Sequence, residues 1–462
     1  MTRGVSSVVY DQDGLAGGNI LPDVMSAGKR AYELAIELFP ICRSLTGPGV
    51  RQTLRILQRE LPGLTLHEVP SGTRCFDWTV PSEWSIREAY IATEDGRRVV
   101  DFANHTLHVV GYSTPVDAVM SLDELRPHLH SLPELPDAIP YVTSYYRERW
   151  GFCLSHRQLQ SLAPGNYRVK IDSTLGPGSL TYGELLIPGQ RDDEIFLSTY
   201  VCHPSMANNE LSGPVVATEI ARWLGTLQDR RFSYRIVFIP ETIGSLVYLS
   251  GHLPQMKRRI VAGFNVTCVG DDRAYSYMPS RLGDTLADRA ALHALSHQAG
   301  EGGFTRYSFL ERGSDERQYC SPGVDLPVAS IMRSKYGAYP EYHTSLDDLS
   351  VISPAGLAGA IVAIAKAVLA IEVNGRYRTT VLGEPQLGRR GLYPTLSTRE
   401  SGLAVRRMLD VLAYSDGAHD LLAIADMLGV PVWELSAIAR QLLAHELLVD
   451  CDAEQRQEGM RA

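Results

Sequence analysis

The sequence predicts an α/β protein. Its largest unit is a three-layer sandwich on a mostly parallel sheet, joined by an inserted β-rich domain and a small C-terminal helical domain. Three observations predict this. Near-continuously apolar runs of strand length alternate with helix-period segments between about Asn166 and Asn374, as expected where helices cover both faces of a parallel sheet. Between Leu64 and Tyr167 the texture changes to short alternating runs broken by Pro and Gly, which reads as a β-rich module. A Gly/Pro linker, Gly383–Pro394, sets off a tail of about 65 residues.

Taken in order, residues 1–20 read as a loose leader, polar and Gly-rich, without the charged start and apolar run of a signal peptide. From Val24 to about Leu61 the period is helical. Ala31, Leu34, Ala35, Ile36 and Leu38 form one apolar face; after the turn Gly47-Pro48-Gly49, Val50, Leu54, Ile56 and Leu57 form another. These helices complete the α/β domain, so the expected boundaries are 20–63 and 166–385 for that domain and 64–165 for the insertion. Within the insertion, Trp78, Trp84, Tyr145, Tyr146 and Trp150 are a density of aromatics that ordinarily forms a small module's core and less often lines a cleft.

The expected strands of the α/β domain are Ile195–Cys202, Tyr234–Ile239, Val261–Cys268 and Pro327–Met332. The expected helices are Gly213–Leu227, Ile243–His252, Leu286–Gln298 and Pro354–Val373. In the tail, helices over Gly402–Tyr414, His419–Leu428 and Val432–His445 and a strand at Leu447–Val449 predict a winged-helix domain over 395–455. Its third helix offers only Arg440 and His445 as basic groups, against Glu434. That is too little to neutralise several phosphates, so packing or partner docking is expected rather than nucleic-acid binding.

Composition agrees. The 462 residues are 44% apolar and 21% charged, with a formal net charge of -9. That balance disfavours nucleic-acid and anionic-membrane partners. Seven scattered cysteines, none in a C-x-x-C pair, suit free thiols in a reducing cytoplasm. No apolar run of about 18 residues is expected to span a membrane. The insertion and the acidic tail domain both offer surfaces for self-association into a homo-oligomer.

Three strand ends carry polar residues. His203 follows the first strand, Glu241 the second, and Tyr342-His343 the last. In a parallel sheet these ends converge on one edge, where such folds keep their ligands. One histidine after a strand is ordinarily hydrogen-bonded structure; two, with a glutamate, suit zinc, the carboxylate taking a proton from water. The dense polar run Arg312–Tyr319 adds to the same region.

These residues resemble the zinc aminopeptidases of metallopeptidase family 28, relatives of the glutaminyl cyclases, over roughly 166–375. The whole chain is still more similar to a bacterial family with an aminopeptidase-like domain, a β insertion and a winged helix, often found near polysaccharide or secondary-metabolite genes. The strings Phe39–Ser44, Phe76–Pro81, Ser314–Tyr319 and Tyr342–Ser345 carry that likeness. The resemblance implies a zinc-exopeptidase-like fold in which His203 and His343 are metal ligands and Glu241 is the general base.

It also exposes departures. The bridging aspartate of the peptidases falls on Asn209, the glutamate after the base on Thr242, an aspartate ligand on Thr267, and the aspartate that orients the first histidine on Ser205. Two cations a few ångström apart need a bridging carboxylate to offset their repulsion, so one zinc ion is expected. Glu210 is the first candidate for a third ligand and Asn209 the next, with Asp271 and Asp315 also within reach. Asp315 is expected to act at the catalytic centre, orienting a substrate amine or a ligand. Arg317 and Arg333 are expected to bind an anionic group, with Tyr342 also binding substrate. The function so implied is a metal-dependent, aminopeptidase-like amidohydrolase acting on a small aminoacyl or peptide-like substrate in metabolite or polysaccharide biosynthesis. The alternatives are a deacylase or amide-forming tailoring enzyme, and a non-hydrolytic binding or assembly protein.

Overall fold

The computed structural model describes residues 21–300, 302–392 and 399–454; the expected leader, residues 1–20, lies outside them. Two helices open the described chain. In α1 (Val24–Leu38) the positions Ala27, Ala31, Leu34, Ala35 and Leu38 are buried at helical spacing, and Asp23 caps its first turn. In α2 (Pro48–Glu60) Pro48 sits where a missing N–H costs nothing.

The central sheet has eight strands: β1 (Thr65–Pro70), β2 (Ser179–Ile187), β3 (Glu194–Tyr200), β4 (Ser233–Ile239), β5 (Ile260–Asn265), β6 (Ser276–Met278), β7 (Thr305–Arg306) and β8 (Val328–Met332). Their order across the sheet is β1-β2-β4-β3-β5-β8-β6-β7. The central strands β4, β3, β5 and β8 run parallel, while β1, β2 and β6 join by antiparallel pairing. Every residue of β3 and β4 is buried, which explains their mostly apolar sequence; the charged exceptions, Glu194 and Arg235, pair with each other. The helices α1, α2, α3 (Ser212–Thr226), α5 (Leu286–Ala299) and α6 (Pro354–Val373) share one core with the sheet. The helix α4 (Ile243–Arg259) packs in a second. The result is the expected three-layer sandwich.

Two expected boundaries move. Strand β1 pairs with β2 in the central sheet although it lies beyond residue 64. Conversely Asn166–Gly176 pairs along Glu83–Thr93 in a separate four-stranded antiparallel sheet, completed by Arg98–Asp101 and Val116–Ser121. Backbone pairing, invisible to local composition, decides both edges. The helix α6 corrects another expectation. It is long and apolar enough to cross a membrane by length and composition, yet most of it is buried inside the protein, packed against α1 and α5. Its uniform apolarity is that of a core helix.

The C-terminal unit starts earlier than residue 395. Arg376–Thr379 is the middle strand of a three-stranded sheet with Asp416–Asp420 and Leu448–Asp450. The helices Arg399–Tyr414, Leu421–Leu428 and Val432–Ala444 complete the winged helix. It docks on α5, where Arg289 holds the Asp420 carboxylate through two bonds of 2.8 and 2.5 Å. Nearby, the His293 ring joins Asp426 at 2.6 Å and accepts the Val432 N–H at 2.9 Å.

Candidate functional site

The ends of β3, β4, β5 and β8 lead into four loops, and each loop holds a residue other than glycine at positive φ: Ser205 (46°), Thr242 (62°), Cys268 (52°) and His343 (56°). Backbone of this kind is costly for side chains with a Cβ and collects at functional sites. Thr242 is the sharpest case. Its φ of 62° and ψ of -73°, with the Ile243 N–H donating to the Glu241 carbonyl at 2.7 Å, form a γ-turn of the rare, strained kind. The Asp315 carboxylate pins this turn, accepting the Thr242 N–H at 2.7 Å and the Ser245 hydroxyl at 3.0 Å.

After β3 the chain makes a wide turn, Ala207–Leu211, whose bonds span five residues: Leu211 N–H to Met206 at 3.3 Å and Ser212 N–H to Ala207. Turns of this type often mark functional sites. The Asp347 carboxylate, from the last loop, accepts the Asn208 and Asn209 N–H groups at 2.7 and 2.9 Å. Gly213 is required where α3 begins. A Cβ there would lie 2.3 Å from the Thr199 hydroxyl and 2.4 Å from the Val266 carbonyl.

The loops bring His203, Glu241 and His343 together. The rings of His203 and His343 are 5.5 Å apart between centroids, and Glu241 Oε2 lies 3.6 Å from His203 Nε2. Among the described residues no hydrogen bond reaches Nε2. The other nitrogen, Nδ1, is held by Glu210 Oε2 at 2.9 Å. Burial opposes protonation of His203, but the hydrogen bond and charge of Glu210, with Glu241, outweigh it and hold the imidazole above its ordinary value. Burial, then the charge of His203, pushes His343 down to about 3, so that ring is neutral. Burial raises Glu241 against the pull of His203 and Arg317. Burial, then Glu241, pushes Asp315 up to about 8.

The expected third ligands are engaged elsewhere. Glu210 is on the Nδ1 side of His203, opposite the open nitrogen. Asn209 Oδ1 accepts from the Tyr200 hydroxyl at 3.1 Å, which also shares a 2.6 Å bond with Thr267. Asp271 accepts from Asn208, Ser334 and Arg273. Arg333 also departs from expectation. Its Nε donates to the Asp271 carbonyl at 2.6 Å and its guanidinium lies 3.9 Å over the Tyr275 ring, so it braces a loop instead of facing the site. Arg317 is near, donating to the Thr242 hydroxyl at 2.5 Å and standing 3.9 Å from Glu241 Oε1. Tyr342 stacks on His343 at 3.9 Å.

Among the described residues, Cys202, His203 and Glu210 also bring potential ligand atoms within 4.8 Å of one another. Hydrogen bonding accounts for that cluster. Nδ1 is taken by Glu210, burial keeps the Cys202 thiol protonated, and the Arg43 guanidinium stands 3.6 Å from Glu210. The donors that suit a borderline cation such as zinc are instead the open His203 Nε2 and the neutral His343, beside the Glu241 carboxylate.

Sequence reasoning missed two contributions. Tyr141, from the insertion, lies 5.1 Å from the His203 ring and 5.3 Å from His343. Its N–H donates to the His343 carbonyl at 3.0 Å, and its hydroxyl pairs with Tyr145 at 2.7 Å. The insertion therefore walls the site, and the aromatic density was its one local signal. Arg43, from the segment after α1, donates to the His203 carbonyl at 3.0 Å.

A family model described as "Domain of unknown function (DUF4910)" matches residues 32–374. The chain belongs to this family. A winged helix-turn-helix model matches residues 375–450. This DUF4910 protein is 44% identical over 423 residues, 91% of the chain and 96% of the relative, to a Clostridium acetobutylicum protein described as a polysaccharide biosynthesis protein with an aminopeptidase-like domain. It superimposes with a TM-score of 0.86 at 43% identity on a C. acetobutylicum crystal structure titled as a peptidase, covering 92% of this chain and 97% of that one. At 13% identity and a TM-score of 0.54 it shares the fold of a zinc aminopeptidase from Bacillus subtilis, covering 74% of this chain and 94% of the other. The DUF4910 domain thus has an aminopeptidase-like fold.

Proposed function

We propose that the protein is a zinc-dependent, aminopeptidase-like amidohydrolase acting on a small aminoacyl or peptide-like substrate in metabolite or polysaccharide biosynthesis. One observation carries this reading: the open nitrogen of His203 faces a carboxylate oxygen 3.6 Å away with no hydrogen bond between them. In the neutral ring, with Nδ1–H donated to Glu210, Nε2 presents a lone pair, and two electron-rich atoms at that separation repel unless a proton or cation lies between them. His203 Nε2 and His343 would hold one zinc ion. Bound there, zinc would polarise the scissile carbonyl and make water a better nucleophile.

The chain's own groups do the rest. Glu241 takes the proton of the attacking water and returns it to the leaving nitrogen, a role suited to a carboxylate raised by burial. Asp315 acts by holding the turn that aims Glu241. Arg317 is the cation at the rim for an anionic substrate group, and the rings of Tyr141 and Tyr342 exclude water beside the histidines. The neutral Asn209, Thr242 and Thr267 support one ion over two. The description of the Clostridium relative supports a biosynthetic setting, and the free cysteines support the cytoplasm.

A second reading, a non-hydrolytic binding protein, is favoured by the same Asn209–Tyr200–Thr267 cluster, which replaces acidic ligands with a closed neutral network. Zinc analysis of the purified protein, with assays on aminoacyl and acyl-sugar amides, separates the two. The expected result is zinc bound at one ion per chain and amide hydrolysis that falls about 100-fold or more in Glu241→Gln with zinc retained. Protein without zinc, and activity unchanged in Glu241→Gln, would overturn the proposal.

A further inference from the structure

We propose that Glu210 and Arg43 together are the positioning device for His203, taking over in this chain the orienting contact that Ser205 cannot supply. This inference rests on the proposed use of His203 Nε2. Glu210 Oε2 holds Nδ1 at 2.9 Å, which fixes the ring's rotation and places the proton on Nδ1, leaving Nε2 as the acceptor. Second contacts of this kind raise the basicity of a ligating imidazole. Ser205, where a short acidic side chain would serve the same end, turns away: its hydroxyl bonds to Thr106 of the insertion.

A carboxylate in so dry a place needs a counter-charge. The side chains of Glu210 and Arg43 are both fully buried, 3.6 Å apart. Arg43 does more than balance charge. Its Nε donates to the His203 carbonyl at 3.0 Å and its Nη1 to the Leu38 carbonyl at 2.7 Å. One guanidinium thereby fixes the backbone of His203, the carboxylate behind its ring, and the end of α1. Among the described residues Arg43 Nη2 and Glu210 Oε1 have no hydrogen-bond partner, an arrangement that an optimised structural ion pair avoids. Asn209 and Glu210 are adjacent: as the first lost a carboxylate on the family pattern, the second carries one to the other side of the histidine.

The test reads the ring itself. Ring nitrogen-15 spectra of metal-free protein at alkaline pH report which nitrogen of His203 bears the proton. The native chain should show the Nδ1–H form. Glu210→Leu combined with Arg43→Met removes both charges, so no buried charge is stranded, and should show a mixture or the Nε2–H form. In a second arm, competition with a chelating dye should find zinc bound 10- to 100-fold more weakly by Glu210→Gln, the range for loss of such contacts. An Nε2–H ring in the native protein, or the same spectrum in the double variant, overturns the proposal, as does zinc affinity within about 2-fold of native in Glu210→Gln. A native protein that takes no zinc, yet shows the Glu210-dependent tautomer, would refute the hydrolase reading and leave the positioning role standing.

Discussion

His203 and His293 are each buried imidazoles whose Nδ1 bonds a carboxylate, Glu210 at 2.9 Å in one case and Asp426 at 2.6 Å in the other. They differ at the second nitrogen. His293 Nε2 accepts the Val432 N–H at 2.9 Å, so every polar group of that ring is satisfied and the winged helix is fastened to α5. Among the described residues His203 Nε2 has no such donor, and it faces Glu241. The backbone agrees: positive-φ residues flank the site on four loops, while the docking surface is regular helix against helix. A histidine–carboxylate pair therefore says nothing by itself about function; the unfilled nitrogen does.

The strongest way to break this comparison is to exchange which ring is lost. His203→Ala should abolish zinc binding and bring hydrolysis to background while the winged helix stays docked. His293→Ala should do the reverse, leaving zinc content and turnover near native. It strands the Val432 N–H, removes a fully buried ring and costs about 2–4 kcal/mol of stability. Chemical denaturation of both variants, alongside zinc analysis, checks the crossed result. Loss of zinc in His293→Ala would mean that docking and site are one cooperative unit.

The same contrast explains what was legible in the sequence. The helix α6 is found over the residues predicted for it, and β3, β4, β5 and β8 fall within a few residues of their predicted runs, because full burial on both faces leaves an unmistakable apolar signature. Strands β1, β2, β6 and β7 carried weaker signals; their partners are supplied across the sheet from distant residues. At the site, His203, Glu241 and His343 were legible because strand ends converge. The side of the ring that Glu210 occupies was not, since a five-residue-spaced turn rotates Asn209 and Glu210 away from where helical spacing would put them. Arg43 was quoted only as part of a family string. Its partner lies at Glu210, and no local pattern links such distant positions. The winged helix was recognised from its helices, but its first strand, Arg376–Thr379, hid at the end of α6.

The smallest effect concerns the docking surface alone and separates it from the site by pH. Burial raises the Asp420 carboxyl, but the hydrogen bonds from Arg289 and Asn374 outweigh it and hold it below its ordinary value of 3.8. A group lowered in the folded state contributes stability that is complete above its unfolded value and is lost as pH falls through the lowered one. Acid should therefore loosen the winged helix as pH drops below about 4, seen as faster hydrogen exchange in Leu421–Leu428. Asp420→Asn keeps a cap for the Ala423 N–H but loses the charge, at a cost of about 1 kcal/mol near neutral pH. Its exchange in that helix should respond less to acid than the native protein's does. An equal acid response in both proteins would assign the dock's stability to His293 and the apolar face around Val432, and not to the Arg289–Asp420 pair.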